Sequence, residues 1–279
     1  MSTVFLNGKY IPLEKACIHV MDRGFIFADG VYEVIPVFNQ RIFRLDEHLQ
    51  RLNKSLKAVY IENPYDNSAW HDILNTLVAN DSVPDKSLYV QVTRGISERN
   101  HDTDTGTSPT VFVMCKPIQN VNYDSGINAI THDDIRWQYC HIKAITLLPS
   151  VMLRHLASGK GAREAILIRE NLVTEGAASN VFVVQGNTVK TPPDNGFVLP
   201  GITRNLLIEL LNDADIDCKQ SQITQSELQD ADEIWITSST WEIVPVINLD
   251  SRLVGDGVPG KFWCRANALY QEFKAGLMN

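Results

Sequence analysis

The stretch Ala165–Val184, AILIRENLVTEGAASNVFVV, constrains the fold of this chain more than any other. Apolar AILI is broken by Arg169-Glu170-Asn171, LVT follows, and Glu175-Gly176-Ala177-Ala178-Ser179-Asn180 opens into VFVV. Short runs of Val, Ile and Leu bounded by Gly and Asn signal strand, turn, strand, turn, strand. Glu175 is then the residue to explain, because a carboxylate between two apolar strands is costly to bury unless a cation faces it. The segment alone admits two readings: a surface turn with a solvated Glu175, or a buried carboxylate with a partner.

Lys143 lies 32 positions earlier, in HIKAITLL, within apolar surroundings and just before a helix-like run. A desolvated lysine loses its charge readily and becomes an amine nucleophile suited to a Schiff base. Paired with a carboxylate able to hold a protonated pyridine nitrogen, it fits pyridoxal phosphate.

The rest of the chain supplies a frame. Val4-Phe5-Leu6 and Tyr10-Ile11-Pro12 flank Asn7-Gly8, a hairpin signal. VYEVIPVF (31–38) alternates as a strand, and Leu45, Leu49, Leu52 and Leu56 have helical spacing. Trp70–Val78 suggests another helix. SLYVQVTR (87–94) and Thr110–Cys115 read as strands, with a polar loop at 95–109 between them. Residues 116–122 follow a strand without periodicity and form the best candidate linker. Helices are expected over 151–162, from Gly201 through Leu211, and over 262–273. Glu233–Thr237 reads as a buried-type strand. The order gives a smaller N-terminal α+β domain, 1–118, and a larger strand-rich C-terminal domain, 119–279.

At 279 residues, 44% hydrophobic and 21% charged, the chain has the profile of a soluble globular enzyme. Its net charge of −8 carries no basic block, which argues against nucleic acid as a partner. Five scattered cysteines without CxxC spacing read as reduced thiols of a cytoplasmic protein, with neither a disulfide framework nor a metal site. No signal peptide is expected from MSTVFLNGKYIPLEK, and no membrane span, since no run of ~18 apolar residues occurs.

Pro200-Gly201-Ile202-Thr203 opens a helix, where unpaired N–H groups and the dipole favour an anion; an ordinary threonine cap is the alternative. Ser238-Ser239-Thr240 is a second hydroxyl-rich turn of a common kind. Arg51 lies on the helix of Leu45 to Leu56, where an arginine is usually solvated. Arg99 and His101, two apart, would present two donors on one side of an extended segment, unless the loop is simply solvated.

The pieces HIKAITLL, TEGAASNVFVV and LPGITR, in this order, resemble the fold-type IV pyridoxal-phosphate enzymes. That family includes branched-chain aminotransferases, D-amino-acid aminotransferases and aminodeoxychorismate lyases, and the resemblance runs over almost the whole chain. It implies an α/β (α+β) two-domain fold with pyridoxal 5′-phosphate held between the domains. It implies Lys143 as the Schiff-base lysine and Glu175 as the partner of the ring nitrogen. Arg51, Ile202, Thr203, Ser238 and Ser239 would form the phosphate cup, and Leu199 would pack on one ring face.

DGVYEV followed by VTRGxxxRNH resembles the bacterial D-amino-acid aminotransferases within the family, and Arg136-Trp137 in DIRW matches as well. In that subgroup the residues matching Tyr32, Arg99 and His101 trap the substrate carboxylate, partly across a homodimer interface with shared active sites. The reaction implied is ping-pong transamination of D-alanine or D-glutamate with 2-oxo acids such as 2-oxoglutarate. Aminodeoxychorismate lyase and branched-chain L-amino-acid aminotransferase stand as alternatives on the same fold. A cofactor-binding protein without turnover is the rival from another class, disfavoured by the presence of both Lys143 and Glu175. Two departures bear on substrate range: Ala178 where a serine is common, and Trp241 where a small residue is usual.

Overall fold

The computed structural model describes residues 3–102, 106–119 and 123–277. They divide into two compact units. The first runs to Gln119 and also takes Ile142–Thr146; the second holds the remaining described residues.

In the first unit the elements are β1 (Thr3–Leu6), β2 (Lys9–Pro12), α1 (Arg23–Phe27), β3 (Gly30–Phe38), β4 (Arg41–Ile42), α2 (Leu45–Ala58), α3 (Asn67–Ala79), β5 (Lys86–Thr93) and β6 (Thr110–Pro117). The strands form one sheet in the order β2-β1-β6-β5-β3-β4, antiparallel at every pairing. Asn7 (φ 46°) and Gly8 (φ 84°) turn β1 into β2, the left-handed pair that a two-residue hairpin requires. Leu49, Leu52 and Leu56 of α2 pack with Trp70, Leu74 and Leu77 of α3 and with Val31, Ile35 and Val90 of the sheet in one buried core. The helices predicted near 45–56 and 70–78 both form. Lys116 and Pro117 of the expected linker are the end of β6, paired with Ser87 and Lys86; its residues 120–122 lie outside the described residues.

The second unit has β7 (Ile127–Asp133), α4 (Leu148–Gly159), β8 (Glu164–Arg169), β9 (Leu172–Gly176), β10 (Asn180–Gln185), β11 (Thr188–Thr191), α5 (Ile202–Asp213), β12 (Cys218–Gln220), α6 (Gln225–Gln229), β13 (Glu233–Ser238), β14 (Glu242–Leu249), β15 (Arg252–Leu253) and α7 (Lys261–Gly276). Eight strands run β12-β11-β10-β13-β14-β7-β8-β9, with β15 on β14. The AILI, LVT and VFVV strands predicted from 165–184 form within β8, β9 and β10, and Glu175 and Gly176, read as a turn, extend β9. Their near-continuous apolar runs are buried on both faces. No described helix is long and apolar enough to cross a membrane.

Candidate active site

Lys143 is placed by its main chain. β4 pairs β3 only at Val37 and Phe38, so the edge of β3 at Gly30–Tyr32 is left for another segment. Ile142–Thr146 takes it. The Tyr32 N–H donates to the Lys143 carbonyl at 2.9 Å and the Ile145 N–H to the Gly30 carbonyl at 3.1 Å, with Val31 opposite Ala144. Ser55 of α2 accepts from the Lys143 N–H at 3.2 Å. Side chains alternate along such a segment, so Ile142 and Ala144 enter the buried core while Lys143 stays half-buried. Its Nζ lies 4.4 Å from the centre of the Tyr32 ring, a cation–π distance. Lys143 and Tyr32, singled out separately in the sequence, are thus neighbours.

The opposite face of β3 carries Glu33, fully buried against α2. Arg51 grips it with two hydrogen bonds of 2.8 Å, from Nε to Oε1 and from one terminal nitrogen to Oε2. His48 Nδ1 meets Oε2 at 2.8 Å. Burial pushes the Glu33 carboxyl up, but Arg51 and His48 outweigh it and hold the carboxyl well below the usual range. Burial also keeps His48 below its ordinary value, so it is neutral near pH 7. Arg51 is therefore held rigidly rather than solvated. Glu33 and His48 were missed by sequence reasoning, although a lone acid in an alternating apolar strand was a signal.

Arg99 and His101 are exposed and meet at one ring. The Arg99 guanidinium carbon is 5.4 Å from the Phe27 ring centre, and the His101 ring centre is 5.5 Å from it. Among the described residues no acid pairs with Arg99.

Within the second unit, Glu175 on β9 is buried at 4% exposure. Of its two sequence readings, the buried one holds. Arg136 donates to Oε1; the Leu199 N–H (2.9 Å) and the Asn180 side-chain amide (3.1 Å) donate to Oε2. Burial pushes the carboxyl above its ordinary value, with Arg136 pulling the other way. Arg136 is itself clamped by both oxygens of Asp134 at 2.9 Å. A carboxylate offers about four acceptor positions, so these three donors leave one open.

Asn180 ties this carboxylate to α5. Its amide also donates to the Leu199 carbonyl at 2.8 Å, and Gly201 sits so close to its side-chain oxygen that a Cβ would collide with it. Gly201 is the N-cap of α5 and no side chain caps that helix, so the threonine-cap alternative fails. Ile202 and Thr203 of the first turn are buried. Arg204, 2% exposed, pins the same turn by donating to the Pro192 carbonyl (2.7 Å) and to Gln220 (3.0 Å). Ser238 ends β13 and Ser239 follows it, and the Ser238 hydroxyl accepts from the Trp241 N–H at 3.2 Å. Trp241 packs against Tyr123 at a tilt of 41°, centres 5.1 Å apart, with the Arg154 guanidinium 4.7 Å from the Trp241 ring centre. Ala178 is exposed.

Within the second unit, the donor set fits a phosphorylated pyridine: a buried carboxylate with one acceptor position open suits a protonated ring nitrogen, and an uncapped helix start with hydroxyls suits a phosphate. Within the first unit, Lys143 is an amine of the kind that forms a Schiff base.

The family described as amino-transferase class IV matches residues 30–249. A D-alanine aminotransferase of Bacillus licheniformis is 40% identical over 259 residues, 92% of each chain. One from Staphylococcus haemolyticus is 35% identical over 263 residues, 93% of each. In structure, the branched-chain amino acid aminotransferase of Escherichia coli superposes with a TM-score of 0.90 at 25% identity, covering 95% of this chain and 92% of the other.

Proposed function

This chain belongs to the class IV aminotransferases, fold-type IV enzymes that work with pyridoxal 5′-phosphate, and we propose that it transaminates D-amino acids of the D-alanine and D-glutamate kind with 2-oxo acids. When bound, the cofactor supplies a carbonyl that takes the amino group and an electron-poor ring that acidifies Cα–H. Glu175 would face the ring nitrogen, where its carboxylate would favour the protonated form. Arg51, the first turn of α5 at Ile202 and Thr203, and Ser238 and Ser239 are the residues that would hold the phosphate, and Leu199 would pack on the ring. The Lys143 amine, held at Tyr32, would take the proton from Cα and hold it for return on the far side of the substrate nitrogen, acting as base and then acid.

The choice of D-amino acids rests on Arg99. Exposed, beside His101 and with no acid on it among the described residues, it is available for a substrate carboxylate. Arg99, His101 and Tyr32 form the proposed carboxylate trap. Exchanging carboxylate and side chain around Cα converts L binding into D, so where the carboxylate is anchored sets the hand. The D-alanine aminotransferase relatives support the same reading. We place the enzyme in the cytoplasm as a homodimer with shared active sites. Exposed apolar residues around the trap loop, Val20, Phe25 and Ile96 at 68, 77 and 53%, support association.

A panel of D- and L-amino acids with 2-oxoglutarate, with pyruvate release from aminodeoxychorismate alongside, tests the assignment. D-alanine or D-glutamate should lead. Preference for L-leucine or L-valine would replace this reading with the branched-chain one, and pyruvate release with the lyase.

A further inference from the structure

We infer that Arg23 is a positioning residue for the carboxylate trap, acting through the backbone of the loop that carries Arg99 and His101. The inference rests on the trap reading above. The loop after β5 is tied to the Met21–Arg23 segment in steps. Asp22 bridges Ile96, the Ser97 N–H reaches the Met21 carbonyl at 3.4 Å, and the Arg23 N–H donates to the Gly95 carbonyl at 2.8 Å. Beyond Ser97 the tie passes to a side chain. One terminal nitrogen of Arg23 donates to the Asn100 carbonyl at 2.6 Å and reaches the Asp102 carbonyl at 3.5 Å. These carbonyls lie on either side of His101, and Asn100 directly follows Arg99.

Arg23 can do this because it is itself fixed. It is 5% exposed, and its Nε donates to Asp29 at 2.8 Å. Asp29 is gripped in turn by Arg94 at 2.7 and 2.9 Å, and Arg94 also holds the carbonyls of Val59 and Tyr60. The Arg23 guanidinium packs 4.8 Å from the Phe27 ring centre, the ring on which Arg99 and His101 also rest. Of the two guanidinium groups that share that ring, Arg23 pairs with Asp29 and Arg99 does not. The arrangement leaves Arg99 as the cation with an open carboxylate position while Arg23 sets where the loop carries it.

The test compares Arg23→Gln, Arg23→Lys and Arg99→Ala as holoenzymes. For each, kcat and KM for D-alanine and 2-oxoglutarate are measured, with the inhibition constant of propionate, a carboxylate that cannot react, and the absorption of bound cofactor. Displacing a binding group by about an ångström costs up to roughly a hundredfold. Arg23→Gln should therefore raise both KM values and the propionate constant about tenfold or more, with kcat within about threefold of the parent and the absorption band unchanged. Arg23→Lys, which keeps one charged donor, should fall between parent and Arg23→Gln. If Arg99→Ala weakens propionate while Arg23→Gln does not, the positioning role is wrong and the trap stands. If Arg99→Ala changes nothing, the trap itself is wrong. Should Arg23→Gln not fold, Arg23→Lys decides by the same comparison: parent-like constants overturn the role.

Discussion

Arg136 donates to Glu175 inside the second unit, and the same guanidinium is held at 2.9 Å by each oxygen of Asp134. The buried carboxylate is thereby given a cation that cannot swing away. Removing Arg136 leaves Glu175 buried without its charge partner, so its carboxyl rises further and is ionised only at higher pH. Arg136→Met should lose about 3–5 kcal/mol of stability and shift the acidic limb of its kcat/KM profile to higher pH. A variant profile that overlays the parent's would show that Arg136 does not set the Glu175 charge.

Glu175→Gln removes the charge while keeping the shape. An amide cannot stabilise a protonated ring nitrogen, and a charge-assisted hydrogen bond is worth roughly 1.5–3 kcal/mol. At about 1.4 kcal/mol per factor of ten, single-turnover half-reactions should slow at least tenfold while the cofactor remains bound. An unchanged half-reaction rate would remove Glu175 from the ring nitrogen.

The Glu33–His48–Arg51 cluster links stability to pH. Glu33 is depressed in the folded state, so its contribution is present above its ordinary value near 4.5 and is lost as pH falls below it. His48 is also depressed, so the folded state resists its protonation and stability begins to fall below about pH 6.5. Arg51→Ala leaves Glu33 buried and short of charge and should cost roughly 3–5 kcal/mol, besides weakening cofactor binding. Melting followed from pH 7.5 to 3.5 should fall more steeply in the parent than in Glu33→Gln. Parallel curves would mean that the cluster is not what acid titrates.

Gly201→Ala would drive a methyl into the side-chain oxygen of Asn180, the residue that joins Glu175 to the start of α5. Overpacking of this kind costs about 1–3 kcal/mol. The dissociation constant for pyridoxal phosphate should rise with the loss of stability. Gly159→Ala at the end of α4, where nothing lies within 4 Å of the added carbon, serves as the control and should be near neutral, within about 0.5 kcal/mol. Parent-like cofactor binding by Gly201→Ala would break the proposed coupling.

Much of the frame could be read directly because long periodic segments announce themselves. The leucines of α2, the Asn7-Gly8 turn and the runs of β8, β9 and β10 carry their signals locally. Short elements do not: Cys218–Gln220 and Gln225–Gln229 are too brief for a period to show. Lys143 and Glu175 stood out as charges in apolar runs, yet what holds them is distant in sequence. Arg136 lies 39 positions before Glu175 and Asn100 lies 77 beyond Arg23, separations that no local pattern encodes. The edge of β3 left for Ile142–Thr146 exists only once the sheet order is known.

Lys143 is the proposed carrier of the cofactor, and borohydride reduction of the holoenzyme followed by peptide mapping shows which lysine holds it. The pyridoxyl group is expected on Lys143, in the peptide containing HIKAITLL, and Lys143→Ala should retain no reducible cofactor. Label recovered on any other lysine would contradict the assignment.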